Sequence, residues 1–346
     1  MIQAAFLVAP RRVEFRTVPS PIPGPGEVAV RVRAALTDGT DLKAFRRGHP
    51  KMPMPTRFGH EFSGDVAAVG PGVANFVVGD AIMAVHSAPC GRCHWCRAEQ
   101  ENLCATIMET KILGAYAEQI LLSRPIVERN TFSKPASLSY EAAAFLEPLA
   151  CVVHGVSLLA PREGDLAVVI GAGGFGLLHV ILLRALGVRV AVIGRGAARL
   201  EMARALGAEW GREVTLDRRT LSEARALVEE ITDGRGADRV IECTGQVDGW
   251  LAGLALVRRG GTVSLFGGPP PRSTVPIDTS RLHYDQISVV SPFHFRPRDV
   301  RRAYELLAGG GVDVTPLISG RSELHELARV FERLEHGEGV KFAVLP

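Results

Sequence analysis

The chain has 346 residues, a formal net charge of +3, 47% hydrophobic residues and six cysteines. So small a charge gives no basic footprint for nucleic acid or for an anionic membrane surface, so neither is expected as a partner. The length suits two domains with sizeable cores.

Met1 to Pro10 is a short apolar stretch whose arginines, Arg11 and Arg12, follow it, the wrong order for a secretory leader. Cytoplasm is the expected compartment. The first third then reads as short strands broken by turns. Pro19 to Gly26 is a proline-rich turn, Val28 to Ala34 is an apolar run with alternating arginines, and Gly70 to Gly72 and Gly79-Asp80 are further breaks. This pattern predicts a small, mostly β domain.

Cys90, Cys93, Cys96 and Cys104 form a C-x2-C-x2-C-x7-C run. Four thiolates so close in sequence suit a tetrahedral zinc with no open position, a site that folds its loop and does no chemistry. Two disulfides would require an oxidising compartment. An iron–sulfur cluster is disfavoured by the seven-residue last gap and by Ala105, where proline would follow. Cys151 and Cys243 stand alone in apolar surroundings and read as buried small hydrophobes.

From about Gly164 to Pro292 buried strands alternate with helical stretches: Leu166 to Ile170, Val188 to Ile193, Arg239 to Glu242, Gly261 to Phe266 and Ile287 to Ser291. Such alternation predicts a parallel sheet covered on both faces. Leu166 to Leu183 carries no charge and approaches the length of a membrane span. Gly171, Gly173, Gly174 and Gly176 break it into strand, turn and buried helix.

That turn, Gly171-Ala172-Gly173-Gly174-Phe175-Gly176, follows a strand and opens a helix, the context in which G-x-G-x-x-G cradles a dinucleotide pyrophosphate. The next strand should end in Asp or Glu to bind the ribose of NAD. Here the position is Gly194, followed by Arg195 and, one turn on, Arg199. Removing a carboxylate and adding guanidinium groups favours a 2′-phosphate, so NADP is the expected coenzyme and NAD the alternative. The tail adds a helix over Pro297 to Ala308, another over Leu324 to Leu334, and a last strand over Lys341 to Leu345.

Several shorter fragments complete a constellation: Asp38-Gly39-Thr40-Asp41, Gly59-His60-Glu61-Phe62-Ser63-Gly64, Glu147-Pro148-Leu149-Ala150 and Arg281-Leu282-His283-Tyr284. With the cysteine run and the glycine turn, they make the chain resemble the zinc-dependent medium-chain dehydrogenase/reductase (alcohol dehydrogenase) family, in its polyol, threonine and glucose dehydrogenase branch. The resemblance implies an α/β fold: a GroES-like catalytic domain over residues 1–147 with a zinc lobe at 88–106, a Rossmann domain over 148–296, and a C-terminal return over 297–346. A catalytic zinc would lie between the two domains.

In the family that zinc is held by a Cys in a C-G-[ST]-D segment, the His of G-H-E, and a Glu or Cys before the nucleotide domain. This chain departs at the first position, which is Asp38. The implied donors are Asp38, His60 and Glu147, with Glu61 as a fourth or exchanging ligand, an oxygen-rich set that admits Mn, Co or Fe. Thr40 matches the relay hydroxyl, Lys43 falls where relatives carry a relay His, and Asp41 matches the carboxylate that fixes the His60 tautomer. Cofactor contacts are implied at Gly171, Ala172, Gly173, Gly174, Phe175, Gly176, Gly194, Arg195, Arg199, Thr244, Phe266 and Gly267. Arg46, Arg47 and His49 are candidates for a phosphate or sugar hydroxyl, against a solvent-facing cluster.

The expected activity is metal-dependent hydride transfer between NADP(H) and a secondary alcohol, sugar or polyol, in a homotetramer or homodimer. Alternatives are a zinc-independent quinone or enone reductase and a non-catalytic NADPH-binding relative.

Overall fold

The structure, a computed structural model, describes residues 1–48, 52–215 and 221–346. Two compact units emerge, Met1–Ala150 with Phe295–Pro346, and Cys151–His294. Helix Leu146–Leu159 carries the chain from one to the other, so no linker composition marks the boundary.

The first unit is built on strand Val28–Leu36, whose burial is nearly unbroken. It pairs antiparallel with Phe62–Val69, with Gln119–Leu122 and with Lys341–Leu345, the last being the chain's final strand. Ala81–Ala84 extends the sheet beyond Phe62–Val69, and Ile318–Glu323 extends it beyond Lys341–Leu345. Ile2–Ala9 pairs with Arg12–Val18 and Thr56–Arg57 in a separate small sheet. Phe45, Phe58, Tyr116 and Phe331 lie at the centre of the core, with Phe58 edge-on to Tyr116.

In the second unit, six parallel strands run in the spatial order Trp210–Glu213, Arg189–Gly194, Leu166–Ile170, Ala237–Glu242, Val257–Leu265, Ser288–Val290. Numbered by sequence this is 3-2-1-4-5-6, the doubly wound order that binds dinucleotides where it reverses. Leu166–Ile170 and Lys341–Leu345 begin and end as the sequence predicts. Trp210–Glu213 escaped prediction because it is a four-residue edge strand with a central glycine and two charges. Leu166 to Leu183 resolves into a strand, a turn and helix Gly174–Ala185. Tyr140–Leu159 is long and apolar enough to cross a membrane, yet 83% of that window is buried within the protein.

The turn shows what three of its glycines, Gly171, Gly173 and Gly176, do there. Gly171 has φ +106°, a conformation that side chains resist. A Cβ on Gly176 would lie 1.8 Å from the Gly171 carbonyl oxygen, whereas one on Gly173 would meet nothing within 4 Å. Gly176→Ala is therefore expected to cost about 1–3 kcal/mol through forced overpacking, read as a lower denaturation midpoint. Gly173→Ser, at the open N-cap, should leave the midpoint unchanged; equal losses in the two variants would refute this assignment.

Candidate active site and cofactor cradle

Three strands of the first unit bring its buried charges to one sheet end. Leu36 N–H donates to the Glu61 carbonyl at 3.0 Å, and Thr37 N–H to the Phe342 carbonyl at 3.0 Å. Asp38, His60-Glu61 and Lys341 thus converge from three segments remote in sequence. Gly59 has φ +87°, and a Cβ there would lie 2.7 Å from the Tyr116 ring, so glycine is required before His60.

Asp38 caps helix Gly39–Arg47, accepting the Thr40 N–H at 2.6 Å and the Thr40 hydroxyl. Asp38 Oδ2 lies 3.6 Å from His60 Nε2, and Asp41 Oδ2 lies 3.4 Å from His60 Nδ1. The imidazole is thereby held between two carboxylates. Tyr116, which the sequence did not single out, places its hydroxyl 3.0 Å from Asp41 Oδ2. Ligand atoms of Asp38, His60 and Glu61 all lie within 4.8 Å of one another, and all three residues are buried.

Two further residues were missed. Lys341 is 3% exposed, and its Nζ donates to both Glu61 oxygens, at 2.5 and 2.7 Å, and to the Thr37 carbonyl at 2.9 Å. Burial alone would lower its pKa, but the Glu61 carboxylate reverses this and holds it above the usual lysine value. His86 sits with Nδ1 3.3 Å from Glu147 Oε1. Glu147, 3% exposed, is outside the group formed by Asp38, His60 and Glu61.

Thr40 is half-buried and Lys43 is exposed on the same helix. Arg46 pairs with Glu335 at 3.0 Å, a contact that suits the solvent-facing reading; Arg47 is exposed and His49 lies outside the described residues.

In the cysteine lobe, the Sγ atoms of Cys90, Cys93, Cys96 and Cys104 lie within 4.8 Å of one another. The Cys90–Cys96 and Cys93–Cys96 separations are 3.9 and 3.5 Å, against about 3.8 Å for a tetrahedron with 2.3 Å zinc–sulfur bonds. Backbone N–H groups of Ala105 and Cys96 point at Cys93 and pull its thiol down to about 6. All six cysteines are free of disulfides.

In the second unit, a cavity of about 230 Å³ is lined by Gly171, Ala172, Gly173, Gly194, Arg195, Arg199 and Thr244, among others. Gly194 cannot readily become acidic, since a Cβ there would lie 2.9 Å from Ala172 N. Arg199 is half-buried, and its pKa is lowered by burial and then by the neighbouring Arg195 guanidinium, a repulsion that a bound anion would relieve. Glu213 accepts the Gly196 N–H at 2.9 Å on the same loop. Gly174, Phe175 and Gly176 form the first helical turn, and the Phe175 ring packs on Phe266 at 5.1 Å. Gly267 abuts Gly245, where a Cβ would lie 2.2 Å from the backbone nitrogen. Cys151 and Cys243 are half-buried rather than fully buried; burial pushes the Cys243 thiol well up.

Residues 24–129 match the alcohol dehydrogenase GroES-like domain and residues 174–309 the zinc-binding dehydrogenase domain. A sorbitol dehydrogenase of Halalkalibacterium halodurans is 30% identical over 335 residues, 95% of this chain and 94% of the relative. D-arabitol-phosphate dehydrogenase of Enterococcus avium is 31% identical, covering 93% of this chain and 91% of its own. A protein of Sinorhizobium meliloti 1021, assigned as a zinc-binding dehydrogenase and solved with NADP, superposes with a TM-score of 0.89 at 31% identity, covering 100% of this chain and 99% of its own. The chain belongs to the zinc-type medium-chain alcohol dehydrogenase family. Its fold is the expected pairing of a GroES-like domain with a Rossmann domain.

The family's metal suits the residues present. Four buried carboxylates, Asp38, Asp41, Glu61 and Glu147, face one lysine and one histidine whose pKa is raised. The carboxylates outnumber these cationic partners, and burial pushes the Glu61 carboxyl well above the usual carboxylate range, a penalty that a divalent cation would relieve. The 3.6 Å between His60 Nε2 and Asp38 Oδ2 is long for a hydrogen bond but close to the roughly 3.4 Å spanned by two donors on one tetrahedral zinc.

Burial alone would lower the His60 pKa, but Asp41, then Glu147 and Asp38, raise it well above 6.5. The carboxylates thus favour the protonated imidazole, whose proton a cation must displace. Below the raised pKa, metal affinity should climb by up to about tenfold per pH unit, and metal uptake should release a proton. Asp41→Asn should flatten that slope between pH 6 and 8; calorimetry in buffers of different ionisation enthalpy reads both, and a pH-independent wild-type affinity would contradict the assignment.

Proposed function

We propose that the chain is a metal-dependent oxidoreductase that moves hydride between NADP(H) and a secondary alcohol, sugar or polyol. The observation carrying this reading is the buried group of Asp38, His60 and Glu61, each donor within 4.8 Å of the others, on the frame of a zinc-type dehydrogenase. Asp38, His60 and Glu147 would hold the catalytic zinc, with Glu61, whose donor atom lies within 4.8 Å of those of Asp38 and His60, as a fourth or exchanging ligand. When bound, the cation supplies Lewis-acid polarisation of the alcohol oxygen and the nicotinamide supplies the hydride acceptor.

The protein's own groups do the rest. Asp41 faces His60 Nδ1 and favours the tautomer that leaves Nε2 to the metal. Thr40, hydrogen-bonded to Asp38 and half-buried, offers its hydroxyl as the step from the buried carboxylates towards solvent. Lys43 stands three residues further along the same helix, a neighbouring position on its surface, and marks the exposed end at which the path would meet solvent. Arg195 and Arg199 take the 2′-phosphate; the open backbone at Gly173 and the helix N-terminus behind it take the pyrophosphate. Thr244, Phe266 and Gly267 complete the coenzyme contacts. The four cysteines hold a structural zinc.

The substrate class follows the relatives, named for sorbitol and for a phosphorylated pentitol. A panel of polyols, sugars, a pentitol phosphate and simple alcohols, offered with NADP and NAD before and after chelation, tests the reading. Turnover of a polyol or sugar that disappears on chelation and in Asp38→Ala or His60→Ala is expected. Quinone or enone reduction that survives chelation would replace it, as would NADPH binding without any turnover. Arg195→Ala and Arg199→Ala should each raise KM for NADP by about 10–100-fold, the loss of a charge-assisted hydrogen bond, and leave KM for NAD within a few fold. Equal effects on both coenzymes would reverse the coenzyme assignment.

A further inference from the structure

We propose that His86 is a positioning residue for the catalytic metal, its imidazole orienting Glu147 as a ligand alongside Asp38 and His60. This rests on the metal site just described and assigns a role to a residue outside its donor set.

Strand pairing brings His86 there. Phe62 pairs with Ala84 in antiparallel register, so two residues further on His60 and His86 stand opposite each other. Their ring centroids are 5.0 Å apart at 69°, and the other side of His86 meets Phe295 edge-on at 5.9 Å and 88°. Held between two rings and 6% exposed, the imidazole has a fixed plane. From it Nδ1 reaches Glu147 Oε1 at 3.3 Å.

Glu61 and Glu147 are thus kept differently. Glu61 has both oxygens on the Lys341 ammonium and arrives with its own counter-charge. Glu147 has Oε1 3.3 Å from His86 Nδ1, a juxtaposition through which an imidazole N–H would aim a ligating carboxylate. Loss of such outer partners costs about 10–100-fold in metal affinity.

The full-length protein, stripped and titrated with Co(II) against a competing chelator, tests this through affinity and the d–d spectrum. Wild type should take two equivalents, one with thiolate-to-metal charge transfer and one without. His86→Phe, which keeps an aromatic ring against Phe295, should lose about 10–100-fold in affinity at the second site, shift its d–d bands, and leave the thiolate site and melting temperature unchanged. His86→Gln, which retains an N–H donor, should stay within a few fold of wild type. In a Glu147→Gln background, His86→Phe should add nothing. If His86→Phe does not fold, His86→Leu takes its place in the same comparison. Wild-type affinity in His86→Phe, equal weakness in His86→Gln, or an undiminished loss in the Glu147→Gln background would each overturn the proposal. A wild-type protein that takes only the thiolate-bound equivalent would instead overturn the metal site itself, and this role with it.

Discussion

Burying four carboxylates at one end of a sheet is the constraint on which the first unit depends. Each of Asp38, Asp41, Glu61 and Glu147 is at most 5% exposed, and an ionised carboxylate out of water is stable only with charge or donors against it. The structure supplies them from every side: Lys341 from the last strand, His60 from within, Tyr116 through its hydroxyl, and His86 against Glu147. The final strand is therefore part of the site as well as part of the sheet.

This constraint was only partly legible in the sequence. Local signals survived well, because they are written in contiguous residues. The cysteine spacing anticipates a lobe whose sulfurs converge, and strand, glycine turn and helix anticipate the Leu166–Ala185 segment almost residue for residue. Lys341, His86 and Tyr116 were not found. Lys341 meets Glu61 across 280 residues of chain through antiparallel register, and no periodicity reports such a meeting. One signal was available: the chain has only five lysines among 40 basic residues, and one of them opens the apolar strand KFAVL. A lysine in that position needs a buried partner.

The second unit solves a different problem, that of bringing backbone close to a ligand. Its turn uses one glycine for a positive φ, one for open approach and one for helix-to-turn contact. Arg195 and Arg199, which stand where the sequence pattern expects an acid, both line the cavity. Glu213 was not, since its link to Gly196 depends on the short edge strand that the pattern concealed.

Asp38 holds two posts at once, as a donor in the buried group and as the residue that starts helix Gly39–Arg47. A cysteine at this point would be a softer donor, but a thiol anchors a helix poorly compared with a carboxylate. Descent from one side chain to the other would therefore not be a simple exchange of ligands. It would also loosen the first turn that carries Asp41 towards His60, so any lineage crossing between the two chemistries must secure that turn by other means.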